Sequence, residues 1–436
     1  MSNLTRREFI KTVSLAMLAM TVPANIFAAD NCTVKTRYGT FNGFVDKQGV
    51  KTWLGIPYAQ PPVGKLRWQA PQPLKPTNKT FDAKKFGASA LQEDDKLEAA
   101  SQNVQSEDCL TLNIWRRSDK NNQPVMVFIH GGGFQNGGSS DPLYNVTNFA
   151  AAHDVVIVTI NYRLAVFGFV NFGAIDSAYE DSGYLGLKDQ VAALKWVKEN
   201  ISAFGGNPDN ITIFGESAGA ISCMMLTVIP AAKGLFGKAI PQSANKFLTG
   251  TTADEWRYFL LEFENFFEHF RDNPKNFSPV MMKYTAKTPQ EIYQAWLKNR
   301  PDTDENFEDF VNQSDWRVGQ ELTAEYQSNF GDVYYYLFSE QSPDEKLRSC
   351  HAVDLPYTFN NGDHIVPNPK QNLVKVIQSS WAAFAATGTP DNEFIPHWEK
   401  YSADNRQTME LNSKGCVCHK DLNTSNLNAL RYLYED

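Results

Sequence analysis

Unbroken runs of apolar residues recur along the chain and predict buried β-strands. The clearest runs span 125–129, 155–160 and 211–214, and weaker ones span 247–249 and 333–338. A run in which nearly every position is apolar is typical of a strand that is covered on both faces. Between the second and third runs, apolar residues with helical spacing predict a helix: Leu187, Val191, Leu194, Val197 and Ile201. Strands that alternate with helices predict an α/β fold, with a mostly parallel central sheet and helices on both faces.

The chain before these strands has a different pattern. Residues 30–113 are rich in Pro and Gly and contain short β-like pieces such as Thr40–Val45. This composition favours an antiparallel N-terminal meander with long loops. We expect residues 30–436 to form one domain, with its functional site at the carboxyl ends of the parallel strands.

The first 29 residues have the features of an export signal. Arg6 and Arg7 lie in a polar segment, which is followed by the mostly apolar run Thr12–Val22 and by small residues at 28 and 29. This order is typical of a twin-arginine signal peptide, with cleavage near Ala28 or Ala29. The apolar run is shorter than a membrane span requires. The sequence therefore predicts a periplasmic or secreted protein without a membrane anchor.

Charge and cysteine content exclude several other classes of function. The net charge is −8, and no long cluster of Lys and Arg is present, which argues against a nucleic-acid partner. An oxidising destination would permit disulfides among the six cysteines, but their even number fixes no pairing. Cys416, Cys418 and His419 match neither a zinc pattern nor a haem-attachment pattern. We expect no metal and no cofactor.

Residues 211–220, which read ITIFGESAGA, contain the first candidate for chemistry. The pentapeptide from Gly215 to Gly219 lies between a predicted strand and a predicted helix. A serine in this position must occupy a sharp and strained turn, which small neighbours permit and which exposes its hydroxyl. Ser217 is therefore a candidate nucleophile.

A glycine-rich segment follows the strand at 125–129, where residues 130–134 read HGGGF. Consecutive glycines let the backbone turn tightly and leave its N–H groups unshielded, as an anion-binding pocket requires. Such a loop upstream of a nucleophile turn indicates an oxyanion hole. We expect Gly132 and Gly133 to provide two donors and Ala218, the residue after the nucleophile, to provide the third.

Together with these motifs, further segments resemble the type-B carboxylesterases of the α/β-hydrolase fold, the cholinesterase-like family. The resemblance extends from about Tyr38 to Leu411, and it is strongest at 55–59, 106–113, 130–134, 161–164 and 204–208. It implies an α/β-hydrolase fold and a serine esterase that acts on small-molecule esters. The choline-site tryptophan of the family has no counterpart in 91–105, which argues against a cholinesterase proper.

Chain order and resemblance indicate the base and the acid. In α/β-hydrolases the nucleophile is followed by Asp or Glu and then by His. Among the seven histidines, His351 follows the last predicted strand within the length of a loop, and its segment resembles the one that carries the catalytic histidine of the family. Glu255 resembles the acid of the family. Asp254 and Glu216 are its competitors, although Glu216 lies on the nucleophile turn itself.

The chain departs from the family in the interval between nucleophile and acid. Ser217 and Glu255 are only 38 positions apart, which is much less than the family usually shows, and the junction lies near 245–246. The helix predicted after the acid carries a broad apolar set that needs cover, either within the chain or in a homodimer: Trp256, Phe259, Leu260, Phe263, Phe266, Phe267 and Phe270. Three smaller departures are Trp256, in place of a glycine beside the acid, Ala90, whose presence leaves Cys109 without the usual disulfide partner, and Tyr184, in place of the usual asparagine.

These observations predict a serine carboxylic-ester hydrolase with the triad Ser217, Glu255 and His351. Three alternatives stay open. One is a catalytically impaired or purely binding member of the same fold, since the shortening removes part of the wall around the site. The others are an amidase or a thioesterase, which would use the same mechanism. The sequence does not specify the acyl and alcohol groups of the substrate.

Overall fold

The computed structural model of the protein describes residues 32–93, 104–240, 247–261 and 288–433. The predicted signal peptide, the junction at 245–246 and the predicted helical positions 263–270 lie outside these ranges. A central sheet of 11 strands and a separate sheet of three strands organise the described residues. The strands are β1 (Thr33–Thr36), β2 (Gly39–Asn42), β3 (Phe44–Val45), β4 (Lys51–Pro57), β5 (Thr80–Asp82), β6 (Thr111–Arg116), β7 (Gln123–Ile129), β8 (Val156–Ile160), β9 (Gly206–Gly215), β10 (Lys238–Ile240), β11 (Phe247–Thr252), β12 (Val333–Phe338), β13 (Gln407–Leu411) and β14 (Val417–Lys420).

The central sheet has the order β14-β13-β12-β11-β10-β9-β7-β8-β6-β4-β3. Neighbours from β13 through β8 are parallel, whereas β14 at one edge and β6, β4 and β3 at the other are antiparallel. The predicted mostly parallel sheet is thus confirmed. In the small sheet, β2 pairs with β1 in antiparallel and with β5 in parallel orientation, so the N-terminal strands are divided between two sheets.

Helices connect the parallel strands. They are α1 (Thr147–Ala152), α2 (Ala165–Gly168), α3 (Leu185–Asn200), α4 (Ala218–Val228), α5 (Pro289–Trp296), α6 (Asp304–Asn312), α7 (Val318–Ser328), α8 (Leu355–Phe359), α9 (Gln371–Thr387) and α10 (Thr424–Leu430). Helix α3 is the helix predicted from the apolar spacing of 187–201. After the predicted acid, Glu255–Leu261 forms a 3-10 helix.

The central strand β7 shows why its sequence is apolar at consecutive positions. Val125, Val127 and Ile129 belong to the core on one face of the sheet, and Met126 and Phe128 belong to the core on the other face. Alternate side chains of a strand point to opposite faces. A strand with helices on both sides must therefore be apolar throughout, and it holds its carboxyl end rigidly in place.

A buried ion pair fixes the loop after β8. Nε and Nη2 of Arg163 each donate to the carboxylate of Asp189 in α3 at 2.7 Å, and the backbone N–H of Arg163 donates to it as well, at 3.1 Å. The two side chains are 4% and 0% exposed. Bidentate pairing satisfies both buried charges. The 161–164 motif thus attaches this loop to helix α3.

Cys109 carries a free thiol, as the absence of its usual partner predicts, and so do Cys223, Cys350, Cys416 and Cys418. Cys32, Cys109, Cys223 and Cys350 are buried. Among the residues that the structure describes, none of the helices combines the length and apolar character needed to cross a membrane.

Candidate active site

The nucleophile candidate Ser217 occupies the turn between β9 and α4. Its backbone angles are φ 53° and ψ −123°, a combination that residues with side chains rarely adopt. A Cβ atom on Gly219 would lie 2.0 Å from the carbonyl oxygen of Ile129, and one on Gly215 would lie 2.7 Å from the same oxygen. Because both positions are glycine, α4 packs directly against the end of β7 and the serine can turn sharply between them.

The glycine-rich loop after β7 lies against this turn. A Cβ atom on Gly131 would lie 2.7 Å from Oε2 of Glu216 and 3.1 Å from Cβ of Ser217. Gly132 and Gly133 have φ angles of 93° and 60°, which are accessible to glycine at little cost. The absence of side chains thus allows the loop to approach the nucleophile turn closely.

Ala218 is the first residue of α4. The N–H groups of a first helical turn have no acceptor within the helix, and the helix dipole makes this end partially positive. The expected oxyanion donors Gly132, Gly133 and Ala218 therefore come from two segments that meet beside Ser217, namely the loop after β7 and the start of α4.

Glu255 and His351 are in direct contact. Oε2 of Glu255 lies 2.7 Å from Nδ1 of His351, and the backbone N–H of His351 donates to the carbonyl oxygen of Glu255 at 3.1 Å. The other carboxylate oxygen accepts the N–H of Thr252 at 2.9 Å. Both side chains are buried, with exposures of 5% and 9%. The end of β11 and the loop before α8 thus hold an acid and an imidazole in fixed register.

A second carboxylate approaches the other ring nitrogen of His351. Oε1 of Glu216 lies 2.9 Å from Nε2. Burial lowers the pKa of His351, but the charges and hydrogen bonding of Glu216 and Glu255 outweigh burial, so that the pKa lies well above its ordinary value. The two carboxylates therefore favour the protonated, ion-paired form of His351.

Two aspartates lie near His351, and neither is the carboxylate that contacts Nδ1 of its ring. Asp254, the competitor for the acid role, accepts the backbone N–H of Ser349 at 3.1 Å. Burial raises the pKa of Asp354 to about 7, and the charges of Glu216 and Glu255 contribute in the same direction. Asp254 thus anchors the histidine loop, while Glu255 contacts the ring.

Ser217, Glu255 and His351 line one cavity of about 60 Å³. Glu216, Trp316 and Gln320 line it too. A site that holds one water needs about 10–15 Å³ of such volume, so the cavity has room for only a few non-hydrogen atoms. A larger groove of about 740 Å³ lies between residues 58–74 and α3, and none of the predicted site residues lines it.

Sequence reasoning did not assign two of these cavity residues. Glu216 was considered only as a competitor for the acid role, and its position beside the nucleophile was the available signal for its contact with Nε2. Nothing in the sequence indicates that Trp316 lies beside His351, because its position depends on a local irregularity in a helix. Residues Gln313–Arg317 form a π-helical turn between α6 and α7.

Comparisons with known proteins identify a family and related structures. The chain matches the carboxylesterase family over residues 30–295 and 245–430. It is 34% identical over 473 residues to para-nitrobenzyl esterase of Bacillus subtilis (strain 168), covering 87% of this chain and 95% of the relative. It is 46% identical over 480 residues to pyrethroid hydrolase Ces2e of Rattus norvegicus, with coverage of 85% and 83%. The solved carboxylesterase EST55 of Geobacillus stearothermophilus matches with a TM-score of 0.79 at 30% identity, over 92% of this chain and 100% of that chain.

Proposed function

Since the chain belongs to the carboxylesterase family and is a carboxylic-ester hydrolase, we propose that it cleaves small-molecule esters with Ser217, His351 and Glu255 as a catalytic triad. The contact of 2.7 Å between Glu255 and His351, in the cavity that Ser217 lines, is the observation that carries this proposal. A buried carboxylate at Nδ1 fixes the tautomer of the ring and leaves Nε2 to act as the base.

The reaction proceeds by acyl transfer in two steps. The Ser217 hydroxyl loses its proton to Nε2 of His351 and attacks the ester carbonyl, and the alcohol leaves with that proton. Water then attacks the acyl-enzyme with His351 again as base. The N–H groups of Gly132, Gly133 and Ala218 hold the oxyanion in both steps. Glu255 stabilises the imidazolium that forms.

The Glu216 contact adds one requirement to this scheme. Nε2 must exchange Glu216 for the serine hydroxyl before it can accept the proton. The imidazolium must also lose its proton first, because a protonated ring is not a base. Activity should therefore fall on the acid side of a pH profile as His351 becomes protonated.

The decisive experiment uses the purified mature protein, a p-nitrophenyl ester series and a fluorophosphonate probe. We expect a burst of acylation, and covalent labelling that maps to Ser217. Ser217→Ala should lower turnover by a factor on the order of a million, while Ser202→Ala, on the exposed surface, should behave like the parent. Esterase activity retained by Ser217→Ala would refute the assignment. Labelling without turnover would instead indicate an impaired member of the fold, and faster cleavage of matched amides or thioesters would indicate the alternative substrates.

We also propose that the chain lacks material which its family carries between nucleophile and acid. The support is the short interval of 38 positions between Ser217 and Glu255, and the family match consists of two segments that overlap over 245–295. The shortening is compatible with the triad, since Glu255 contacts His351 and Ser217 lines the same cavity. Its consequences therefore concern the wall around the substrate more than the chemistry.

For location, we propose export through the twin-arginine pathway to the periplasm or beyond. The support is the order of Arg6, Arg7, the apolar run 12–22 and the small residues at 28 and 29. Cell fractionation should recover a processed protein that begins near residue 30. Replacing both arginines by lysine should leave the full-length precursor in the cytoplasm, and unchanged export of that variant would contradict the proposal.

A further inference from the structure

An aromatic side chain packs against the ring of the proposed catalytic base. The ring centroids of Trp316 and His351 are 4.8 Å apart, and the ring planes form an angle of 42°. Tyr258 is more distant, with a centroid separation of 6.3 Å and an angle of 64°. Trp316 also lines the small cavity that contains Ser217. It therefore contacts the ring of the base and lines the cavity that contains the proposed triad.

The π-helical turn Gln313–Arg317 accounts for this placement. A π turn contains one residue more than an α-helical turn would, and such turns often occur at functional sites. The helices on either side of it are held by packing: Phe307 and Phe310 of α6 and Val318 of α7 belong to one buried cluster, together with residues of α5 and α10. The extra residue is thus a fixed feature of a packed element, and Trp316 is presented on it.

The histidine ring needs support during the exchange at Nε2. Glu255 holds the ring at Nδ1, and Glu216 holds it at Nε2 in the resting arrangement. While Nε2 changes partners from Glu216 to the serine hydroxyl, the Nδ1 contact with Glu255 is the polar contact that continues throughout. Rotation of an imidazole about its Cβ–Cγ bond has broad minima, so one contact alone allows the ring to tilt.

We propose that Trp316 is a positioning residue, which holds the His351 ring in plane while Nε2 exchanges Glu216 for Ser217. This inference rests on the proposed triad and specifies what makes its base productive. A bulky, rigid indole in contact with the imidazole restricts the tilt of the ring without competing for its nitrogens. Small misplacements of a reacting group reduce rates strongly, so this restraint acts on acylation itself.

Kinetics of Trp316→Leu, Trp316→Phe and the control Tyr326→Leu test the proposal. Leucine fills part of the space but has no ring, and should lower the acylation rate about 10- to 100-fold while KM changes less than about three-fold. Phenylalanine keeps an aromatic contact and should retain most of the rate. Tyr326→Leu removes an exposed aromatic side chain of α7 that does not line the cavity, and should stay close to the parent. Equal acylation rates in the parent and Trp316→Leu would overturn the proposal.

A second measurement does not depend on activity. A protonated imidazole in contact with an indole quenches its fluorescence, so the parent should show a pH-dependent component that disappears both in Trp316→Phe and in His351→Gln. The other titratable groups near the two rings are Glu255, Glu216, Asp354 and Tyr258 around His351 and Asp315 beside Trp316, and comparison with the histidine variant separates their effects from that of His351. A pH-dependent component of the same size in the parent and in His351→Gln would show that protonation of His351 does not reach Trp316, and the inference would fail.

The two sets of results separate this inference from the proposed function. If the parent is labelled at Ser217 and Trp316→Leu is labelled equally fast, the proposed function stands and the positioning role of Trp316 is refuted. If the parent is not labelled at Ser217, both the proposed function and the positioning role are refuted. The fluorescence measurement then reports only on the contact between the two rings. Thermal unfolding of Trp316→Leu near that of the parent ensures that a slow rate reflects the site and not a loss of fold.

Discussion

His351 has a carboxylate at each ring nitrogen, and the two contacts affect catalysis differently. The carboxylate at Nδ1 is Glu255, whose second oxygen is occupied by the N–H of Thr252. The carboxylate at Nε2 is Glu216, which contacts the nitrogen that must accept the proton of the serine hydroxyl. One contact orients the base in every step, whereas the other must be released. Substitution of each carboxylate therefore has its own signature.

Replacing Glu255 by Gln should remove most of the activity. The amide keeps the size of the side chain but has no charge to stabilise the imidazolium, and its NH2 group favours the wrong tautomer of the ring. We expect turnover to fall about a thousand- to ten-thousand-fold. Asp254→Asn is the matched control, because Asp254 bonds to the backbone of Ser349 and not to the ring. Steady-state kinetics in which Asp254→Asn shows the larger loss would assign the acid to Asp254 instead.

Replacing Glu216 by Gln should shift the pH profile. Ion pairing with Glu216 is a large part of what raises the pKa of His351 against the opposing effect of burial. Without that charge the pKa falls, the neutral base is present at lower pH, and the acid limb of kcat/KM moves to lower pH. The measurement is kcat/KM for one p-nitrophenyl ester across the acid range. An acid limb that stays in place would show that Glu216 does not control the protonation of His351.

At the scale of elements, the turn that presents Ser217 depends on close packing of α4 against β7. The backbone carbonyl oxygen of Ile129 lies so close to Gly219 that it leaves no room for a Cβ atom there. A backbone atom cannot move aside as a flexible side chain can. The glycine at this position thus sets the distance between the helix and the strand, and through it the position of the serine.

Gly219→Ala should therefore lower both stability and activity. Its Cβ would lie 2.0 Å from the Ile129 oxygen, so the helix must shift. Overpacking of this kind typically costs about 1–3 kcal/mol. Gly237→Ala is the control, since a Cβ there would have no atom within 4 Å. Denaturant unfolding monitors stability and fluorophosphonate labelling monitors Ser217. Equal unfolding midpoints for the two variants would contradict this account of the turn.

The same elements show what the sequence could and could not predict. The strands β7, β8, β9 and β12 were predictable because burial on both faces imposes unbroken apolar runs. Ser217 and the glycines at 131–133 were predictable because a tight turn restricts the residue type. The contact of Trp316 with His351 was not, because it depends on a π turn between α6 and α7 and on pairing across 35 positions of chain. The Glu216 contact likewise needs three-dimensional geometry, since only the placement of two loops brings it to Nε2.

For the molecule as a whole, the cluster formed by α5, α6 and α10 links the C-terminal segment to the active-site region. Trp296 of α5, Phe310 of α6 and Leu427 of α10 are buried in it. The π turn that carries Asp315 and Trp316 continues directly from α6. A change in the protonation of a side chain in this turn should therefore be measurable as a change in the free energy of unfolding of the whole protein.

Asp315 is the group that makes this coupling depend on pH. Burial raises its pKa to about 7, with a hydrogen bond to Trp256 acting in the opposite direction. Its Oδ1 atom is buried and has no hydrogen-bond partner among the residues that the structure describes. Between its ordinary pKa, near 4, and its pKa of about 7 in the fold, the folded state binds a proton that the unfolded state does not bind. The free energy of unfolding contributed by Asp315 therefore falls as pH rises through this window, by up to about 1.4 kcal/mol per pH unit.

Asp315→Asn should remove this contribution, because the amide does not titrate. Compared with the parent, the variant should gain stability between pH 5 and pH 7 and show no further relative change at higher pH, where Asp315 is ionised in both states. Denaturant unfolding of the parent and the variant across this range measures the difference. Asp404→Asn, at an exposed position, should follow the parent at every pH. A constant difference between Asp315→Asn and the parent would mean that this carboxyl titrates alike in both states, and that the turn carrying Trp316 is not coupled to pH through Asp315.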